Sequence, residues 1–276
     1  MPNQRINRLT QLNRGARLVL KLLKGLLLVG GVFPHIRPFE QDVIIEGWCR
    51  EVLDVLSIRL NLRGEAPPGK VSFVLFVANH VSWMDILVIN ACRRVRFVVK
   101  AEVRLWPLVG WMAARTGTVF VKQASPHELA SVANDVAASL RCGDCVALFP
   151  EGTTDGAFIQ AFHAGLIESA IAAKALVWPV AITYKRLDGS LEPDLAVAGS
   201  QSLVSLIVNL LARPATRVQL SFTSPAESSA ADRRTLTVWC RQAIEQSLAS
   251  HPQFPVPARS PRRYPADESF PPLTAA

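Results

Sequence analysis

The sequence predicts an α/β fold: a layered mixed sheet with flanking helices, preceded by an N-terminal pair of amphipathic helices. Three observations carry this. The chain has 276 residues, enough for one large core. Half of its residues are hydrophobic and only 19% are charged, which excludes wholesale disorder. From about Leu56 onward, short apolar runs alternate with stretches of helical spacing, the pattern of a layered α/β domain. Mean hydropathy of +0.23 adds the expectation of an apolar neighbour such as a membrane.

The first element is a basic amphipathic helix. Arg14, Arg17, Lys21 and Lys24 stand at i, i+3, i+7 and i+10, one face of a helix, with Leu12, Ala16, Val19, Leu23, Leu26 and Leu27 opposite. Such a helix lies in an anionic membrane interface, each basic residue contributing about 1 kcal/mol. The formal charge is +8, and residues 1–39 hold seven Lys and Arg with no acid, so the rest of the chain is nearly neutral. The charge therefore reads as a membrane address, and nucleic acid, which would want basic residues spread over the folded body, is not an expected partner. The apolar run Gly25 to Ile36 is far short of the roughly 20 residues of a spanning helix. Pro34-His35-Ile36 stands where a signal peptide would want small residues, so no cleaved leader is expected.

After Pro34 and Pro38, the spacing of Ile45, Trp48, Val52 and Leu56 predicts a second helix, which makes residues 1–55 a membrane-binding pair. Strands are predicted at Ser57 to Leu62, Val71 to Ala78, Arg96 to Val99, Val119 to Lys122, Val146 to Phe149, Val177 to Thr183 and Val218 to Phe222. Helices are predicted at Asp85 to Ala91, Pro126 to Leu140 and His163 to Lys174, and together these form an α/β domain over residues 56–250. Seven prolines between positions 252 and 276 predict a disordered tail over 251–276. The five cysteines are odd in number and scattered, which points to a reducing compartment. Cys142 and Cys145 read as flanking a turn at Gly143-Asp144, and no metal site is expected.

The strand ending at Ala78 delivers Asn79-His80-Val81-Ser82-Trp83-Met84-Asp85. Five helical steps turn about 140°, so His80 precedes the helix and Asp85 lies in its first turn. Ser82 and Asp85 also fit a capping box, a purely structural role for the carboxylate. Chemically, a strand-end histidine beside a carboxylate is what activation of a hydroxyl by a general base requires. The acid fixes the tautomer and steadies the imidazolium while the alcohol attacks an acyl carbonyl. A second constellation, Phe149-Pro150-Glu151-Gly152-Thr153-Thr154, follows the next central strand, where open α/β sheets bind ligands. There is no G-x-S-x-G, G-x-x-x-x-G-K-[ST] or G-x-G-x-x-G, which removes the serine-hydrolase and nucleotide-binding readings.

Asn79-His80-x-Ser82-x-x-Asp85, Lys100-x-Glu102 with Pro107 and Gly110, Gly117 to Val121, Phe149 to Thr153 and Val177-x-Pro179-Val180 stand in a set order. That order resembles the glycerophospholipid acyltransferase family, 1-acylglycerol-3-phosphate acyltransferases included, over residues 56 to 185. The resemblance implies acyl transfer from acyl-CoA or acyl-carrier protein to the free hydroxyl of a lysolipid, on the cytoplasmic face of the inner membrane, without a cofactor. It implies His80 and Asp85 as catalytic dyad and Lys122, Glu151, Gly152, Thr153 and Thr154 as acceptor-binding residues, with Asn79, Ser82, Lys100, Phe149 and Pro150 in support. Two positions depart from the family pattern: Thr154 and Gln123 stand where arginine is common, which thins a cationic clamp for phosphate. The acceptor implied first is 1-acylglycerol-3-phosphate. Lyso-ornithine lipid, which lacks a phosphate, is the alternative, and a lipid-binding protein with a decayed site is the non-enzymatic one.

Overall fold

The structure, a computed structural model, describes residues 6–65, 71–122, 126–151, 159, 162–192, 195 and 203–250. The expected tail at 251–276 lies outside the described residues. The chain begins with α1 (Arg8–Leu27), a π-helical turn Leu28–Val32 and a 3-10 turn Phe33–His35, then α2 (Pro38–Val55), which opens on Pro38 at its first position. There follow β1 (Ile58–Arg63), β2 (Val74–Ala78), α3 (Asp85–Cys92), β3 (Arg96–Lys100), α4 (Val109–Arg115), β4 (Val119–Val121) and α5 (Pro126–Arg141). The remainder is β5 (Cys145–Leu148), α6 (Glu168–Ala173), β6 (Leu176–Lys185), α7 (Leu203–Leu211), β7 (Thr216–Phe222), β8 (Ala226–Glu227) and α8 (Arg233–Ala249).

The expected strands are present within a few residues of their predicted ends. The helix expected over His163 to Lys174 is instead a 3-10 turn at Ala164–Leu166 followed by the short α6. Helices α4, α7 and α8 and the two-residue β8 have no counterpart in the predicted elements. For α8 the signal was present: Leu236, Cys240, Ile244 and Leu248 recur every fourth residue and are buried, and Asp232 caps the helix by accepting from the Arg234 and Thr235 amides.

The eight strands form one mixed sheet in the order β1-β7-β6-β2-β5-β3-β4, with β8 beside β6. β2 lies parallel to both β5 and β6, and β5, β3 and β4 continue in parallel, so these strands release the chain at a common carboxyl edge. β2 is buried along its whole length, as a strand covered on both faces should be. Val74, Phe76 and Ala78 join the core beneath α2 and α3, while Leu75 and Val77 join the opposite core with Val132, Val136 and Leu140 of α5. Pro179, which has no N–H to offer a ladder, stands where β6 exchanges β8 for β7 as its neighbour.

Around α1 the structure corrects the expected arrangement of charge. Lys21 and Lys24 both reach Glu51 of α2, each at 2.8 Å, and Arg14 donates to the Arg213 carbonyl at 2.7 Å. The Trp48 indole ties the same helices by donating to the Lys21 carbonyl. Most of the basic stripe thus faces the protein, because α2 offers a carboxylate within reach, and Arg17 remains exposed. The side of α1 turned outward is aliphatic: Leu9, Leu12, Val19, Leu20, Leu23 and Leu27 are exposed. Among the described residues no helix is long and apolar enough to cross a membrane.

The Pro107-x-x-Gly110 spacing has a steric reason. Val109 donates to the Pro107 carbonyl at 2.6 Å across Leu108, held at φ +62°, a strained γ-turn. The chain then passes so close to the 3-10 turn Ala101–Leu105 that follows β3 that a Cβ on Gly110 would lie 2.3 Å from the Arg104 carbonyl oxygen. Gly110→Ala is expected to cost about 1–3 kcal/mol, read as a fall in melting temperature of roughly 2–4 °C per kcal/mol. An unchanged melting temperature would contradict the contact.

Candidate active site

The site is assembled where β2 and β5 end side by side. Asn79, just past β2, imitates one more ladder residue: its amide nitrogen donates to the Ile182 carbonyl at 3.0 Å and its oxygen accepts from the Ile182 N–H at 2.7 Å. This fixes the backbone from which His80 projects. The His80 amide in turn donates to Glu151 Oε1 at 2.9 Å, which links the end of β2 to the turn after β5.

Asp85 opens α3 and is fully buried, whereas the His80 side chain is 20% exposed. Asp85 Oδ2 accepts from three donors: the Val81 amide at 2.7 Å, the Ser82 amide at 2.9 Å and His80 Nδ1 at 2.9 Å. Oδ1 accepts from the Tyr184 hydroxyl at 2.8 Å. One oxygen thus satisfies two backbone donors and holds the histidine, but the expected capping box is not formed, because α3 begins at Asp85 itself with Met84 as its N-cap and no side-chain cap bond. With Asp85 as the acceptor, Nδ1 carries the hydrogen and Nε2 holds the lone pair, the tautomer a general base needs. The Tyr184 hydroxyl is pushed well above its usual range, first by burial and then by the Asp85 charge, so it is a permanent donor.

The imidazole lies flat on Phe149, with ring centres 4.0 Å apart and an 11° tilt, and Phe149 stacks at 5.8 Å on Phe97 of β3. Phe97 also lines a cavity of about 150 Å³ walled by α1, α2, α3 and α4. Its lining is mostly apolar, including Leu22, Val29, Trp48, Ile86 and Met112, and Arg94 and Asn90 lie at the far end of α3.

Of the residues singled out in sequence, Asn79, His80, Ser82, Asp85, Phe149, Pro150 and Glu151 come together here. Gly152, Thr153 and Thr154 lie outside the described residues. Lys100 ends β3 and is exposed. Lys122 follows β4, three strands from β2 and so about 14 Å away along the same edge. The Lys122 amide donates to Glu128 Oε1 at 2.6 Å. The sequence reading missed Tyr184, although Val180, Ile182 and Tyr184 alternate onto one face of β6 and a phenol there is out of keeping with its neighbours. It also missed the His163 amide, which donates to the Pro150 carbonyl at 2.9 Å.

Comparison with known proteins gives a consistent result. The family model described as Acyltransferase matches residues 60–183. A lyso-ornithine lipid O-acyltransferase of Pseudomonas aeruginosa is 35% identical over 248 residues, covering 87% of this chain and 94% of that protein. A 1-acyl-sn-glycerol-3-phosphate acyltransferase of Neisseria meningitidis serogroup B is 32% identical over 254 residues, covering 90% and 95%. The crystal structure of the 1-acyl-sn-glycerophosphate acyltransferase PlsC from Thermotoga maritima superposes with a TM-score of 0.62 at 20% identity, covering 86% of this chain and 97% of that one, a likeness of fold.

Asn79→Ala removes both bonds to Ile182 and is expected to destabilise the protein by about 1–3 kcal/mol. The denaturation midpoint measures this, and a midpoint equal to that of the parent would contradict the ladder-like role of Asn79.

Proposed function

The chain belongs to the acyltransferase family, and from that premise we propose that it moves a fatty acyl group from acyl-CoA or acyl-carrier protein to the free hydroxyl of a lysolipid, with His80 as base. The observation that carries the mechanism is the His80–Asp85 bond, which leaves Nε2 available at the carboxyl edge of the sheet. Nε2 takes the hydroxyl proton as the alcohol oxygen attacks the thioester carbonyl. The tetrahedral adduct collapses, the carbon–sulfur bond breaks, and the imidazolium returns its proton to the departing sulfur. Asp85 steadies the imidazolium meanwhile. The chemistry is acid–base throughout, and we assign no cofactor to it.

The cavity beneath Phe97 has the walls an acyl chain needs, and it adjoins the base through the Phe97–Phe149–His80 stack. The acceptor read first from the motif order is lysophosphatidate, giving phosphatidic acid. A second acceptor, lyso-ornithine lipid, is favoured by the absence of arginine at Thr154 and Gln123 and by the name of the Pseudomonas relative. Lys122, Glu151, Gly152, Thr153 and Thr154 remain the residues we assign to the acceptor.

We also propose peripheral or monotopic residence on the cytoplasmic face of the inner membrane. Support comes from the outward aliphatic stripe of α1, continued by exposed Phe39 and Val43 of α2 and flanked by exposed Arg8 and Arg17. On this reading the anchor is chiefly apolar, and Lys21 and Lys24 contribute less than their charge suggests.

His80→Ala and Asp85→Asn, purified as folded proteins, are expected to lose at least about 100-fold in acyl transfer measured by lipid mass spectrometry. Full activity in both would sink the dyad, and a panel of lysophosphatidate and lyso-ornithine lipid in the same assay identifies the acceptor. For the anchor, Leu12, Leu20 and Leu23 changed together to Ser should abolish most co-sedimentation with anionic vesicles, while Lys21→Gln with Lys24→Gln should retain it. The reverse ranking would return the membrane role to the lysines.

A further inference from the structure

We propose that Tyr184 is the positioning residue that sets the proton affinity of the His80–Asp85 pair, acting through the far oxygen of Asp85. The inference rests on the dyad reading above.

A carboxylate without access to water is tolerable only where its lone pairs meet donors. On Asp85 the load is uneven: Oδ2 receives two backbone amides and the imidazole, and Oδ1 receives, among the described residues, only the Tyr184 hydroxyl. Tyr184 is itself held from behind, since its backbone carbonyl accepts from the Glu192 amide at 3.0 Å, and its ring is buried in the core that contains Met84 and Val88. The carboxylate is thereby gripped at both ends, and rotation that would carry Oδ2 away from Nδ1 breaks the Oδ1 bond.

The electrostatic consequence has a definite sign. A hydrogen bond donated to Oδ1 disperses the carboxylate charge and favours the ionised form. Its removal raises the proton affinity of the coupled pair whichever of the two groups holds the proton. The acid limb of the activity profile, below which the pair is protonated and inactive, therefore moves upward without the hydroxyl. Among the described residues, other ionisable groups around the pair are few. Glu151 sits on the His80 amide, and Cys49 of α2, whose thiol burial pushes up to about 12, stays neutral. At the opposite end of α3, Arg50 of α2 donates to the Ala91 carbonyl in its last turn and Glu46 accepts from the Arg94 amide just past it. Lys185 and Arg217 are ladder partners on β6 and β7 and, one residue on from Tyr184 and Val218, belong to the other face.

The experiment is the pH profile of kcat for Tyr184→Phe, alongside His80→Ala. Tyr184→Phe is expected to move the acid limb up by about one unit and to lower kcat at neutral pH several-fold, with KM for the lysolipid unchanged. A residue that merely fills space would change the melting temperature and leave the limb where it was. Tyr184 and Tyr264 are the two tyrosines of the chain, so 3-fluorotyrosine incorporated into a Tyr264→Phe background alters Tyr184 alone. Its more acidic hydroxyl is a stronger donor and should move the limb down, and this arm stands even where the phenylalanine variant does not fold. Opposite shifts in the two proteins support the inference, and a limb fixed in the fluorinated protein overturns it. Full activity in His80→Ala would instead overturn the dyad itself, so the two failures are distinct.

Discussion

Meeting both oxygens of the fully buried Asp85 carboxylate with protein donors is the constraint that organises the site. Four donors converge on two oxygens, and they come from two separate parts of the chain: the turn after β2, which supplies the His80 imidazole and the Val81 and Ser82 amides, and a phenol on β6 ninety-nine residues away. Each would be an unremarkable bond elsewhere. Around a buried charge they are mutually dependent, since losing one leaves a lone pair bare at a cost of about 1–3 kcal/mol or more. Asn79 serves the same end by stitching the turn to β6 at Ile182, two residues from Tyr184, so that the anchor of the turn and the Tyr184 donor share one strand.

The sheet order makes this convergence possible. β2 has β5 on one side and β6 on the other, both parallel to it, so three chain segments meet at its carboxyl end. From β5 come the ring that supports the imidazole and the Glu151 carboxylate that takes the His80 amide. From β6 come the backbone partner of Asn79 and the hydroxyl for Asp85. A site spread over unpaired loops would have no equivalent means of holding these distances.

The legibility of the sequence followed the range of the interactions. His80 and Asp85 lie five residues apart, so helical geometry alone placed one before the helix and the other in its first turn. β2 declared itself by an unbroken apolar run. Tyr184 and Ile182 meet this site only through strand order, which no local pattern states. The same limit explains α1: helical spacing correctly aligned Arg14, Lys21 and Lys24 on one stripe, but which way the stripe faces depended on Glu51 in the next helix. Short elements such as α4 and β8 were hidden because their conformation is set by a γ-turn and by pairing with β6, not by periodicity.

The three-sided character of α1 carries a consequence for how such a chain can diverge. Leu22 and Gly25 wall the cavity on the inner side, and Leu12, Leu20 and Leu23 look outward on the other, separated by one helix diameter of about 10 Å. A single 20-residue segment thus encodes two surfaces with interleaved positions. Substitutions can remodel the inner lining while leaving the outer chemistry intact, or the reverse. Descendants of one ancestor can in this way acquire different tastes without changing address.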